Sequence, residues 1–168
     1  RTMGEGCEPA FPPIVASGGN AATPHHEPTN VLHKGFLVLD YGVKKNGYCA
    51  DITRTVYVGV PSKAEKELYA TVLRAQEDAI KKCVVGKTFE NVNTTAMNTL
   101  GIHKKEFIHS IGHSLGIEVH DDLPRRKKRM QMMLKENMVL TVEPGVYKKG
   151  MYGIRIEDDV VVGKEIPR

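Results

Sequence analysis

The chain has 168 residues, which is long enough for one domain with a substantial hydrophobic core. Its 24 lysines and arginines against 20 aspartates and glutamates leave a net charge of +4, too small to indicate a nucleic-acid partner by itself. Cys7, Cys49 and Cys83 have no paired spacing and are expected to be reduced thiols of a cytoplasmic protein. Within these residues we find no signal peptide and no apolar run that could span a bilayer.

The amino-terminal third is predicted to consist of a loop region followed by a β-hairpin. Residues 1–35 are rich in proline and glycine, with one short strand expected at "PIVASG", residues 13–18. Two runs rich in β-branched and aromatic residues follow, at residues 35–43 and 48–58. Asn46-Gly47 between them is a strong short-range signal for a hairpin turn.

This hairpin brings two aspartates, Asp40 and Asp51, onto one face of the predicted sheet. If Lys45 and Asn46 form the turn, the aspartates lie directly opposite each other; if Asn46 and Gly47 form it, they are diagonal neighbours. In either register the carboxylates are about 5 to 8 Å apart. Two like charges at this distance repel each other, so the face needs a shared proton, a basic neighbour or a metal ion.

Two helices are predicted after the hairpin. Ser62 is a suitable N-cap, and Glu65 completes a capping box at the start of a helix over residues 64–83, which Gly86 is expected to stop. A second helix fits residues 89–101. The apolar positions that recur at helical spacing in the first helix are Leu68, Val72, Ala75, Ala79 and Ile80.

Short apolar, strand-like runs return at residues 107–119, 138–147 and 153–162. The order of two strands, two helices and then several strands argues for an α+β domain with helices on one side of an antiparallel-rich sheet. The five consecutive basic residues at 125–129 are interpreted as a solvated loop. A nucleic-acid patch or a localisation signal is the alternative, although no aromatic residue is interleaved to stack on bases.

Each of the three later runs carries a potential ligand in an apolar context: His113, Glu143 and Glu157 respectively. A buried charge is costly unless it is paired or coordinates a metal. Together with Asp40 and Asp51, these residues form an oxygen-rich set that suits Mn²⁺, Co²⁺, Fe²⁺ or Zn²⁺ better than a thiolate site would. Four carboxylates and one imidazole are too many for one zinc ion, but they suit two divalent ions.

The segments around these residues resemble, in order, the motifs of the pita-bread metallopeptidases (creatinase/aminopeptidase-like fold). They are "LDYGVKKNGYCADITRT", "HSIGHSLGIEVHD", "LTVEPGVY" and "GIRIEDDVV". Within that family they are similar to the proline-specific branch of Xaa-Pro dipeptidase (prolidase) and Xaa-Pro aminopeptidase. The resemblance runs from about residue 17 to residue 162. It implies a catalytic domain over residues 1–168, with a curved antiparallel-rich sheet and helices on one face, that lacks the first helices of the family.

The resemblance also implies roles for individual residues. Asp51 and Glu157 would bridge two divalent ions, with manganese or cobalt as the first choice and zinc or iron as alternatives. His109 and His120 would act beside the metals, and His120 would also bind substrate. The complete ligand set that the resemblance implies is Asp40, Asp51, His113, Glu143 and Glu157.

Two further substrate-site residues follow from the same resemblance. His25 matches a histidine of the substrate pocket. Arg155 matches an arginine of the substrate site that supports the bridging carboxylate, and an ordinary cross-strand ion pair is the alternative.

The function implied is hydrolysis of a Xaa-Pro peptide bond by a hydroxide held between the two metals. Glu143 would be the general base and then the general acid, and His120 would donate a hydrogen bond to the oxyanion. The expected substrate is a peptide with proline at the second position, and the expected assembly is a homodimer without membrane or nucleic-acid partners.

Three questions stay open at this point. Dipeptidase and aminopeptidase activities are not distinguished. A methionine aminopeptidase would share the five ligands. A non-catalytic pita-bread module could bind protein or nucleic acid through residues 125–129.

Overall fold

Ten short strands and three helices make up the regular structure of the described residues, 6–121 and 126–165, in a computed structural model. The strands are β1 (Cys7–Pro9), β2 (Ile14–Ser17), β3 (Gly35–Tyr41), β4 (Val43–Lys45), β5 (Tyr48–Cys49), β6 (Ile52–Val58), β7 (Val139–Val142), β8 (Gly145–Lys148), β9 (Tyr152–Arg155) and β10 (Asp158–Val161). The helices are α1 (Lys63–Ile80), α2 (Phe89–Leu100) and α3 (Arg126–Met130), and two 3₁₀ turns cover Gly18–Ala22 and Gly101–Glu106.

The strands pair into four small antiparallel sheets. Their orders are β2-β3-β6, β1-β4-β5, β7-β10 and β8-β9. Helices α1 and α2 pack against each other, and their apolar faces join residues of β7 to β10 in one hydrophobic core. Its largest fully buried side chains include Phe89, Leu100, Leu140 and Ile154. The predicted α+β class, rich in antiparallel pairing, is confirmed.

The hairpin adopts the second of the two registers that the sequence allows. Asn46 and Gly47 form the turn with φ of 52° and 83°, as a two-residue turn of the I′ type requires. Lys45 pairs with Tyr48, and farther along the same hairpin Asp40 pairs with Thr53. Asp51 is therefore the diagonal neighbour of Asp40, and both side chains lie on one face.

Helix α1 begins as predicted. The Ser62 hydroxyl accepts a hydrogen bond from the Glu65 amide, and the Glu65 carboxylate accepts one from the Ser62 amide. Leu68, Val72 and Ala75 are buried along one face of the helix.

The predicted end of α1 is wrong by three residues, because the helix stops at Ile80 and not at residue 83. The Lys82 amide donates to the Ala79 carbonyl and the Cys83 amide to the Ile80 carbonyl, so tight i→i−3 bonds close the last turn. The chain then turns away because Val84 forms a bridge with Gly163.

Helix α2 has a capping box that the sequence analysis did not identify. The Thr88 hydroxyl accepts from the Asn91 amide at 3.2 Å, and the Asn91 side-chain oxygen accepts from the Thr88 amide at 2.9 Å. Replacing Thr88 with alanine is expected to lower the free energy of unfolding by about 1 kcal/mol in urea titrations. Thr95→Ala is the control, because its exposed hydroxyl donates to a carbonyl within the same helix and caps nothing. An equal loss for both variants would argue against the capping role.

Residues 107–119, predicted as strand-like, form no strand. The Thr141 amide donates to the His113 carbonyl and the Glu143 amide to the Ile111 carbonyl, both at 2.8 Å, so the segment runs beside β7 without a regular ladder. Gly112 permits this approach, because a Cβ there would collide with the Thr141 carbonyl oxygen.

The other two apolar runs each divide into two strands, and a predicted ligand stands at each division. Glu143 lies between β7 and β8, where Pro144 has no amide hydrogen to donate to a ladder. Glu157 lies between β9 and β10, where its amide donates to the Thr53 carbonyl at 3.1 Å. Both glutamates therefore lie outside the regular strand pairing on either side of them.

Three further predictions from the sequence concern the basic run at residues 125–129, the state of the cysteines and membrane-spanning segments. Arg125 lies outside the described residues, and residues 126–130 form helix α3 where a loop was predicted. The three cysteines are free thiols, as expected. Within residues 6–121 and 126–165, no helix is both long and apolar enough to cross a membrane.

Candidate metal centre

All of the predicted site residues meet at one cavity of about 960 Å³. The cavity is bounded by the loops before β2 and β3, by the base of the hairpin, by the segment after Phe107 and by the two strand divisions. The predicted residues among its lining are His25, Asp40, Asp51, His109, His113, His120, Glu143, Arg155 and Glu157.

Asp40 and Asp51 are both buried at the base of the hairpin, with less than a tenth of each residue exposed. Burial raises the pKa of Asp40, the charge of Arg155 opposes this shift, and the Asp51 carboxylate raises the pKa further. The Oδ1 atoms of both aspartates are buried and have no hydrogen-bond partner among the described residues. Each aspartate therefore presents one oxygen that the protein leaves unpaired.

The two glutamates complete the acidic side of the cavity. Burial is the main cause that raises the pKa of Glu143 and of Glu157, and the neighbouring carboxylates raise both further. The Thr141 hydroxyl lies 3.3 Å from Glu143 Oε1 and the Thr53 hydroxyl lies 2.6 Å from Glu157 Oε2, each positioned to donate.

His113 stands between these carboxylates. Its Nε2 lies 3.6 Å from Asp51 Oδ2 and 3.6 Å from Glu143 Oε1. Its Nδ1 lies 3.1 Å from the Ser114 carbonyl, and because a carbonyl only accepts, Nδ1 carries the proton and leaves the Nε2 lone pair facing the carboxylates. Burial lowers the pKa of His113, but Asp51 and Glu143 outweigh burial and raise it.

Arg155 is buried beside the acidic groups and donates hydrogen bonds to three neighbouring side chains. Its Nη2 donates to Asp40 Oδ2 at 2.6 Å, its Nε to the Thr53 hydroxyl at 3.1 Å and its Nη1 to the Tyr147 hydroxyl at 2.9 Å. The arginine thus holds Asp40 directly and reaches Glu157 through Thr53.

Tyr147 was not identified from the sequence, yet it connects Arg155 to His109. The Tyr147 hydroxyl lies 2.8 Å from His109 Nε2, while His109 Nδ1 lies 2.8 Å from the Ser110 carbonyl. Nδ1 is therefore the donor, and Nε2 accepts the proton of Tyr147. Burial lowers the pKa of His109 to about 4, which keeps the ring neutral.

His120 and His25 lie on the open side of the cavity. The His120 ring packs edge-on against His113 with a centroid distance of 4.2 Å, and burial together with the His113 charge lowers its pKa. His25 is exposed and lines the wall formed by the loop before β3.

A divalent cation fits this arrangement for three reasons. Asp51, His113 and Glu157 each offer one ligand atom within 4.8 Å of the others. Asp40 and Asp51 each present the unpaired buried oxygen described above. Asp40, Asp51, Glu143 and Glu157 line the cavity together with His113, and carboxylate oxygens with one imidazole suit hard or borderline divalent ions.

Comparison with known proteins identifies the family of the chain. The Xaa-Pro dipeptidase of Pyrococcus furiosus is 39% identical over 159 residues, which are 92% of this chain and 45% of that protein. The prolidase of Pyrococcus horikoshii superposes with a TM-score of 0.88 at 37% identity, over 95% of this chain and 47% of that chain. The X-Pro aminopeptidase of Thermotoga maritima gives 0.87 at 40% identity, over 95% and 46%.

The chain thus spans a little under half the length of these relatives, and within that span the predicted pita-bread fold is confirmed. The sequence matches metallopeptidase family M24 over residues 1–164. The chain therefore belongs to metallopeptidase family M24.

Proposed function

We propose that the protein is a metal-dependent peptidase that cleaves the bond between an amino-terminal residue and a following proline. The observation that carries the proposal is the meeting of five potential ligands from four separate segments at one cavity, in a chain of family M24. These residues are Asp40, Asp51, His113, Glu143 and Glu157.

Two divalent ions, Mn²⁺ or Co²⁺ before Zn²⁺ or Fe²⁺, are the proposed cofactors. Asp51 and Glu157 would hold the ions together with His113, because each of the three residues offers a ligand atom within 4.8 Å of the others. Bound there, the ions would supply Lewis acidity for the scissile carbonyl and for the attacking water.

Protons would be carried by Glu143. Its two oxygens face different histidines, with Oε1 3.6 Å from His113 Nε2 and Oε2 3.8 Å from His109 Nδ1. At this central place Glu143 can take a proton from water and return it to the leaving nitrogen. His120, at the open side of the cavity, would donate to the developing oxyanion.

The apolar part of the cavity lining supports a proline-containing substrate. Phe11, Pro12, Pro13 and Ile14 line this part of the cavity with rigid apolar surface. A proline ring also makes the leaving nitrogen a tertiary amide, so the substrate needs room for the ring without an amide donor. His25 would contact the same end of the substrate.

Hydrolysis of matched peptides by the full-length protein, loaded in turn with Mn²⁺ and Co²⁺, tests the proposal. Cleavage of Ala-Pro indicates a dipeptidase, and cleavage of only Ala-Pro-Ala indicates an aminopeptidase. Cleavage of only Met-Ala-Ser would contradict the proline specificity. If no peptide is cleaved and the protein takes up no metal, the peptidase proposal is wrong and a binding module is favoured.

A further inference from the structure

The hydroxyl of Thr53 connects Arg155 to Glu157, which is one of the proposed metal ligands. Thr53 is completely buried on β6, two residues after Asp51 and on the same face of the strand. Its Oγ1 accepts a hydrogen bond from Arg155 Nε at 3.1 Å and donates to Glu157 Oε2 at 2.6 Å. Because a hydroxyl has one proton, the arginine on one side fixes the direction of the donation on the other.

The same arginine extends this chain of hydrogen bonds to a second carboxylate. Arg155 Nη2 donates to Asp40 Oδ2 at 2.6 Å, so Asp40, Arg155, Thr53 and Glu157 form one continuous buried chain. In Asp40 and in Glu157, one carboxylate oxygen is engaged in this chain. The backbone adds a second attachment, because the Glu157 amide donates to the Thr53 carbonyl at 3.1 Å.

We propose that Thr53 is a positioning residue that orients Glu157, and through Arg155 also Asp40, for cations before these bind. The inference rests on the metal centre of the proposed function. A short hydrogen bond to a carboxylate oxygen is directional, so it holds one oxygen and aims the other. Groups that orient metal ligands in this way commonly change metal affinity by about tenfold to a hundredfold when they are removed.

Thr55 offers a matched comparison on the same strand. It is also buried, and it projects from the same face two residues later. Its hydroxyl donates to the Arg155 carbonyl at 2.7 Å and accepts from the Arg155 amide at 3.1 Å, so these partners are backbone groups and not a carboxylate. Removing either hydroxyl disturbs a buried hydrogen bond, but only Thr53 is bonded to a proposed ligand.

The experiment measures Mn²⁺ binding to the full-length protein by isothermal titration calorimetry, together with thermal unfolding of the metal-free form. Thr53→Val is expected to weaken Mn²⁺ binding by about tenfold to a hundredfold. Thr53→Ser keeps the hydroxyl and should bind Mn²⁺ like the unmodified protein. Thr55→Val should lower the unfolding temperature while it leaves Mn²⁺ affinity unchanged. If valine prevents folding, Thr53→Ala replaces it.

Three results would overturn the inference while leaving the metal centre in place. They are unchanged Mn²⁺ affinity in Thr53→Val, an equal loss of affinity in Thr53→Ser, and an equal loss in Thr55→Val. Absence of Mn²⁺ binding by the unmodified protein would instead overturn the metal centre itself, and the role of Thr53 with it.

Discussion

Replacing Glu143 with alanine is expected to lower kcat for a Xaa-Pro peptide by about a hundredfold to ten-thousandfold, the usual contribution of a positioned acid or base. The side chain lies between His109 and His113 and is the proposed carrier of the proton from water to the leaving nitrogen. The fold should persist, because the attachment of this segment to Ile111 uses the Glu143 amide and not its side chain. Release of the free amino-terminal residue under saturating substrate measures the effect.

Glu118→Ala is the control for that experiment. Glu118 lines the same cavity and is exposed, but it is not part of the proposed ligand set. It should retain kcat, so a general change in cavity charge can be separated from the loss of the proton carrier. Full turnover by the Glu143→Ala variant would exclude Glu143 from proton transfer.

Replacing Arg155 with methionine is expected to lower the free energy of unfolding by about 3 to 5 kcal/mol. Arg155 and Asp40 are both buried and form an ion pair at 2.6 Å, so removing the guanidinium leaves Asp40 without its cation. Thr53 and Tyr147 lose a donor at the same time. Urea unfolding of the metal-free protein is the measurement, because bound cations would partly replace the lost charge.

Two further variants show whether the lost stability comes from the burial of the ion pair or only from the loss of a positive charge. Lys81→Met breaks an exposed, solvent-screened pair with Asp78 and should cost far less than Arg155→Met. Arg155→Lys keeps the charge but loses the planar fork that reaches three partners, so its loss should be intermediate. A loss in Arg155→Met as small as that in Lys81→Met would mean that the buried pair does not stabilise the fold.

The hairpin register could have been fixed from the sequence alone. A two-residue turn of the I′ type needs positive φ at both central positions, which asparagine and glycine tolerate and lysine does not. This requirement favours Asn46-Gly47 over Lys45-Asn46, and the structure has that turn. The diagonal placement of Asp40 and Asp51 follows directly.

The division between β9 and β10 could not be predicted, because an apolar run does not reveal where its backbone hydrogen bonds go. Glu157 sits at a division because its amide bonds to Thr53, more than 100 residues earlier in the chain. The end of α1 has a similar cause, since Val84 leaves to form a bridge with Gly163. Such distant contacts override local helix or strand preference.

Two polar residues, Thr53 and Tyr147, contact Arg155 at the site. The sequence alone predicts the position of Thr53 but not that of Tyr147. Thr53 follows Asp51 by two positions in a predicted strand, so alternation alone places both on one face. Tyr147 lies in β8, after the break at Pro144. Strand alternation therefore cannot be continued from Glu143 to predict which way Tyr147 faces. Its contacts with Arg155 and His109 emerge only when the strands are in place.

The hairpin turn also has a practical use. Residues 45–48 are exposed, and a side chain at Gly47 would meet none of the described atoms within 4 Å. The turn stands about 15 Å along the strands from Asp51, at about 3.3 Å per residue. A fluorescent label attached at the exposed position of Lys45 would therefore report on the molecule without touching the carboxylates, and it would leave the Asn46-Gly47 turn intact.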